Sequence, residues 1–198
     1  MSKPPTFLGE PPASESASRL YESDRASDGY VGNSTRLWSW RPEIHESFLA
    51  LRRSLMSAST LTDREWALLV TSSVAELGDS YCALAWGSRL AELSDDETAA
   101  QVIAGAAAPA LSHRERALAA WARRVARDPN ATTRDDVDEL RAAGLDDQAI
   151  FDATAFVAFR LAFSTVNDAL GAAPDRELAD RAPAAVRAAV TRGRRPTE

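Results

Sequence analysis

The stretch Val74-Ala-Glu-Leu-Gly-Asp-Ser-Tyr-Cys-Ala-Leu-Ala-Trp-Gly87 carries the only cysteine of the chain and sets two helix signals back to back. Gly78 is suited to the left-handed conformation that closes a helix. Asp79 then stands where the next helix needs its N-cap, which places Cys82 at the third helical position, in the first turn. A thiol there feels the positive end of the helix dipole, which favours the thiolate; the carboxylate of Asp79 works against it. Residue chemistry leaves two readings of Cys82 open, a reactive thiol or a small buried hydrophobe.

Working outward, helix signals dominate. Arg41-Pro42-Glu43 opens a helix in which Ile44, Phe48, Leu51, Leu55 and Met56 recur at helical spacing. Capping boxes, in which a hydroxyl accepts an orphan backbone N–H and an acidic residue reaches back, are expected at Thr62–Glu65, Ser94–Glu97, Ser112–Glu115 and Thr133–Asp136. Gly144 stops a helix, and Asp146 caps the next, which runs from about 149 to 170. With no alternating strand pattern anywhere, the fold class is all-α, a helical bundle. The last long helix is apolar nearly all round, through Phe151, Phe156, Val157, Phe159, Leu161, Phe163 and Val166, as befits a central bundle helix or a subunit interface. A weak internal helical repeat shows as Leu61-Thr-Asp-Arg-Glu-Trp-Ala-Leu68 against Leu111-Ser-His-Arg-Glu-Arg-Ala-Leu118. Residues 1–18, rich in Pro and Ser, read as a flexible N-terminal arm, 19–182 as the helical body, and 183–198 as a helix end and basic tail.

Bulk properties narrow the function. Of 198 residues 45% are hydrophobic and the net charge is −6, which suits a globular protein and argues against a nucleic-acid partner. The one basic cluster, Arg187, Arg192, Arg194 and Arg195, reads as a solvated tail. A lone cysteine makes no internal disulfide. The N-terminus lacks the apolar run of a signal peptide, and no window reaches the roughly 20 apolar residues of a membrane span. A cytoplasmic location and no membrane partner are the expectation. No metal constellation, phosphate-binding glycine loop or nucleotide fingerprint is present, so no cofactor is implied.

Around the elbow, Glu76 and Asp79 form a candidate acid–base pair, since two close carboxylates push one pKa upward. The plainer readings are a salt-bridged helix residue for Glu76 and an N-cap for Asp79. Tyr81 and Trp86 are candidates to line a cavity with Cys82, although a Trp is more often core packing. Arg160 interrupts the most apolar helix; buried, it needs a carboxylate, with Glu76 or Glu65 as candidates, and it is a weak candidate to bind substrate. His45 and His113, near helix starts, read as exposed surface residues.

The Arg41-Pro42-Glu43 helix start, Leu61-Thr-Asp-Arg-Glu65, the Leu-Gly-x-x-Tyr-Cys elbow at 77–82, Val137-Asp-Glu-Leu-Arg-Ala-Ala-Gly-Leu-Asp-Asp147 and the aromatic helix ending Asn167-Asp-Ala-Leu-Gly171 together resemble the AhpD-like alkylhydroperoxidase and carboxymuconolactone decarboxylase superfamily. The resemblance covers most of the chain after the arm. It implies an all-α fold, assembly as trimers or hexamers, and a cysteine helix at the centre. Redox-active members carry Cys-x-x-Cys, a His four residues after the second Cys and a Glu twelve before the first. The second Cys matches Cys82, whereas Asp79 stands at the first, Trp86 at the His and Ala67 at the Glu.

An oxidised Cys82 therefore has no internal partner thiol and needs an external thiol reductant. The expectation is a peroxidase-related scaffold, at most a one-cysteine alkylhydroperoxidase-like oxidoreductase acting on a small hydroperoxide. The alternatives are a carboxymuconolactone-decarboxylase-like lyase acting on a small carboxylated compound, where Arg160 forks onto the carboxylate, and a non-catalytic oligomeric ligand-binding member.

Overall fold

The computed structural model describes residues 6–197; the expected arm and tail thus lie partly outside it, at residues 1–5 and 198. In chain order the helices are α1 (Glu15–Ser27), α2 (Asn33–Trp38), α3 (Pro42–Ala58), α4 (Asp63–Leu77), α5 (Ser80–Leu93), α6 (Asp96–Ala104), α7 (His113–Arg127), α8 (Arg134–Ala142), α9 (Asp147–Ala169), α10 (Arg176–Arg181) and α11 (Ala184–Ala189). Among the described residues there is no strand.

Helix α4 is the axis of the bundle. Thr62 accepts from Glu65 N while the Glu65 carboxylate takes the Thr62 N–H, and Gly78 closes the other end at φ 88°. Every residue from Glu65 to Ala75 is buried, because α5, α6, α7 and α9 all pack against this helix. On one side Trp66 meets Phe156 with ring centroids 4.5 Å apart, within a core that includes Leu118, Trp121, Leu140 and Val157. On the other, Leu68, Leu90, Val102, Leu111 and Val186 form a second cluster that joins α11 to α5 and α6. Gly87 lets those elements approach: a Cβ there would stand 2.7 Å from Ile103 and 3.0 Å from Val186. Truncating Leu68, fully buried in this cluster, would cost about 2–5 kcal/mol.

The fifty-residue echo has a geometric counterpart. Both copies open with a capping box, and α4 packs on α7. Their Arg-Glu pairs exchange partners: Arg64 Nε lies 2.6 Å from Glu115, and Arg114 Nε lies 2.6 Å from Glu65. Such reciprocity is what a local two-fold relation between the segments produces.

Several expectations change. The box expected at Ser94 is displaced by one residue: Asp95 caps α6 by accepting from Thr98 N, and Ser94 instead donates to Leu90 O at the end of α5. Helix α1 begins at Glu15, inside the span read as an arm, and Phe7 N donates to Leu170 O at 2.8 Å. The basic tail is not simply solvated. Arg192 donates to the Ala75 and Glu76 carbonyls, Arg194 donates to Asp168 O at 3.0 Å, and Ser80 Oγ donates to Arg194 O at 2.8 Å. The segment after α11 thus crosses the α4–α5 elbow and satisfies carbonyls that the end of α4 leaves free.

Helix α9 is long and apolar enough, by length and composition, to cross a bilayer. Its apolar character has a local cause, since α9 packs on α4, α7, α8 and α3. It also buries Asp152 and Arg160. Some of its apolar surface remains bare: Phe151 is 68% exposed, and Phe159, beside exposed Leu51 of α3, is exposed as well, as is Ile44 of α3.

Candidate functional site

Cys82 sits where the capping logic puts it. Asp79 caps α5 by accepting the Cys82 backbone N–H at 2.9 Å, and both residues are buried. The thiol faces α9, where Arg160 Nη2 donates to Sγ at 3.2 Å. Burial above all, then the negative Asp79, push the thiol pKa far up; Arg160 and the Ser164 hydroxyl pull it down more weakly. The resting sulfur is accordingly a protonated thiol at neutral pH. Asp79 Oδ2 is buried without a hydrogen-bond partner, so one carboxylate oxygen beside the thiol has proton-accepting capacity unused.

Among the described residues Arg160 has no carboxylate partner, contrary to expectation. Glu65 is taken by Arg114, and Glu76 is held by Arg127 at 2.9 Å and Arg123 at 3.5 Å. The guanidinium instead lies among aromatic rings, 4.7 Å from the Phe163 centroid, 5.5 Å from Trp86 and 5.9 Å from Phe48. Cation–π attraction and the sulfur replace an ion pair. Its Nε is buried and unpaired, and the residue is 5% exposed.

The other candidates separate. Glu76 turns toward α7, where the hydrogen bond from Arg127 holds its carboxyl below the usual range, so the expected Glu76–Asp79 acid–base pair does not form. The carboxylate that couples to Asp79 is Asp168, pushed up to about 6 by burial and then by Asp79. Tyr81 points away from the thiol and donates to Asp175 Oδ2 at 2.6 Å, tying α5 to the segment before α10. Burial pushes Asp175 up to about 6 as well. Trp86 does reach the site, with its ring in contact with the guanidiniums of both Arg160 and Arg52, which line one cleft. His45 is not a surface residue: it packs on Trp38 and Phe163, burial lowers its pKa, and its Nδ1 is buried without a partner. His113 is exposed, as expected.

Two spaces adjoin this core. A cavity of about 600 Å³ opens on the elbow side, lined by Asp79, Ala83, Glu76, Arg123, Arg127 and Arg192. On the Arg160 side a narrow cleft of about 10 Å³ lies between α3 and α9. Among the described residues no three His, Cys, Asp or Glu side chains are grouped to share a metal ion.

Compared with solved structures, the chain superimposes on the alkylhydroperoxidase AhpD core of a peroxidase-related protein from Ralstonia eutropha JMP134, with a TM-score of 0.77 at 23% identity over 89% of this chain and 96% of that one. The fold is that of the AhpD core. A peroxidase-related protein from Silicibacter sp. TM1040 matches with a TM-score of 0.78 at 23% identity, covering 89% of this chain and 95% of that chain. The debrominase Bmp8, as a cysteine-to-alanine variant in complex with 2,3,4-tribromopyrrole, matches with a TM-score of 0.68 at 16% identity, covering 92% of this chain and 95% of that chain. No family model matches the sequence, and no curated protein matches it. The AhpD-like resemblance read from the sequence thus holds at the level of the fold. The resemblance read from the sequence sets Asp79, Trp86 and Ala67 at the positions where redox-active AhpD-like proteins carry Cys, His and Glu. Ala67 is fully buried against α5 and α6, with no room for a carboxylate.

Sequence reasoning missed Arg52, Ser164 and Asp168. Ser164 and Asp168 lie on the Arg160 helix at spacings that put them on its inward face, a signal that was there to be read. Arg52 sits on α3 and joins the site only by tertiary packing.

Proposed function

We propose that this AhpD-like protein is a one-cysteine, peroxidase-related oxidoreductase that reduces a small hydroperoxide at Cys82 and is reset by an external thiol. The observation that carries this reading is the trio around the sulfur, with the free Asp79 oxygen on one side and Arg160 donating to Sγ on the other. Asp79 takes the thiol proton, and Arg160 stabilises the thiolate that forms. The thiolate attacks the distal oxygen of R–OOH; the O–O bond breaks, and Asp79 returns the proton to the departing alkoxide. The products are a Cys82 sulfenic acid and an alcohol. One external thiol condenses with the sulfenic acid to give a mixed disulfide and water. A second releases Cys82 as a thiol and leaves as the external disulfide.

The test is consumption of tert-butyl hydroperoxide with dithiothreitol as reductant. Turnover should be slow at neutral pH, rise with pH, and vanish in Cys82→Ser, with a gain of one oxygen atom on the intact protein when reductant is omitted. Turnover that survives in Cys82→Ser refutes the proposal. Ligand binding without chemistry is the second reading, favoured by the burial that keeps the thiol protonated. It predicts no turnover at any pH.

A further inference from the structure

Two arginines share one aromatic ring in this protein with nothing negative between them. Arg52 on α3 lies 5.0 Å from the Trp86 centroid, and Arg160 on α9 lies 5.5 Å from it. Neither enters any ion pair among the described residues. The charges that act on Arg52 are those of Arg160 and Arg53, both positive, and Arg160 keeps a buried, unpaired Nε. Like charges held together away from water repel each other and forgo hydration, an arrangement that an anion relieves. The cleft beside them is otherwise walled by Phe48, Leu51, Leu55, Phe156 and Phe159.

We infer that Arg52 and Arg160 form a receptor for the carboxylate of an apolar organic acid, whose hydrocarbon part lies between α3 and α9 beside the Cys82 thiol. This rests on the hydroperoxide-reducing reading above and names its substrate class, a hydroperoxide that also carries a carboxylate. A planar guanidinium forks onto a carboxylate with two parallel hydrogen bonds, and the two arginines offer more donors than one carboxylate needs. The cleft of about 10 Å³ holds one water at most, so the acid enters by displacing α3. Helix α3 is built to give way. Of its 17 residues only Pro42 is buried. The side-chain hydrogen bonds of Glu43, Ser47 and Ser57 stay within α3 and its cap. Its hold on the body is the packing of His45 and Phe48 on Trp38 and Phe163, of Leu55 and Met56 on the core, and the Arg52–Trp86 stack.

The experiment titrates the full-length chain, as Cys82→Ser to keep chemistry out, with octanoate at neutral pH, read by tryptophan fluorescence and calorimetry. Octanol is the uncharged control. Saturable octanoate binding is expected, with octanol about tenfold weaker or worse, and Arg52→Gln and Arg160→Gln each losing about tenfold. Arg52→Lys should recover part of the loss. Arg52 is half-buried on the loosely held helix, so its variants remain informative even where Arg160→Gln fails to fold. Octanol binding as tightly as octanoate, or unchanged binding in Arg52→Gln, overturns the inference. Intact turnover of the neutral tert-butyl hydroperoxide without octanoate binding removes the substrate class alone; intact binding without turnover removes the thiol chemistry alone.

Discussion

Replacing Arg160 by methionine should leave the fold at least as stable while weakening the site. Methionine reaches only as far as the arginine Nε, so it keeps the apolar stem of the side chain without the guanidinium that lies against Phe48, Trp86 and Phe163, and it removes a buried charge that has no ion-pair partner among the described residues. An uncompensated buried charge costs about 3–5 kcal/mol in proteins where a partner has been deleted. Against this stand the hydrogen bond to Cys82 Sγ at 3.2 Å, about 1 kcal/mol, and desolvated cation–π contact, about 2 kcal/mol. The balance is a gain between zero and about 2 kcal/mol, which for a domain of this size raises Tm by up to about 8 °C. Thermal and urea unfolding of the parent and Arg160→Met measure it. In parallel, alkylation of Cys82 should slow, because the cation that favours the thiolate is gone. A loss of more than about 2 kcal/mol would show that Arg160 holds the bundle together, and the argument that its charge is kept for function would fail.

Three further outcomes are expected. Asp168 and Asp175 have folded pKa values raised to about 6, so their stabilising contribution is complete below about pH 4 and is lost as the pH rises through 6. For buried Asp175 the rise corresponds to at most about 3 kcal/mol, and less applies to half-exposed Asp168. Tm should therefore be higher at pH 5 than at pH 7, and Asp175→Asn should flatten the difference; a flat parent profile contradicts this. At Gly193, φ is 91° and a Cβ would lie 2.8 Å from Ser80 N, so Gly193→Val should detach the tail, cost about 2–3 kcal/mol and speed Cys82 alkylation. Unchanged alkylation would mean the tail does not shield the elbow. Finally, the exposed apolar side chains of α3 and α9, Ile44, Leu51, Phe151 and Phe159, should drive self-association, which Phe151→Glu weakens. Light scattering that finds the parent as a 21.4 kDa monomer at micromolar concentration refutes this.

Much of the fold was legible because its signals are local. A capping box is written in four consecutive residues, and those at Thr62, Ser112 and Thr133 form as read, the last despite its shorter Asp136. The elbow was equally legible: Gly78 closes one helix, Asp79 opens the next, and Cys82 falls in its first turn. Ser94 failed for a local reason too, since the adjacent Asp95 is the stronger cap and leaves the serine to bond backward.

The site resisted the same reading because partner choice depends on which helix faces are brought together. Glu65 and Glu76 were reasonable mates for a buried arginine, but α7 runs alongside α4 and supplies Arg114, Arg123 and Arg127 first. Tyr81 stands one residue before Cys82, and the helical turn of about 100° per residue sends it to Asp175 instead of the thiol. The sequence by itself determined an all-helical chain and the helical position of its one thiol, since both follow from backbone hydrogen bonding within a few residues. Only the tertiary structure decided that this thiol is buried, that Arg160 meets it without a counter-ion among the described residues, and that Arg52 arrives from another helix to share the Trp86 ring. Desolvation and charge pairing are set by every element that packs around a group, and no local pattern encodes them.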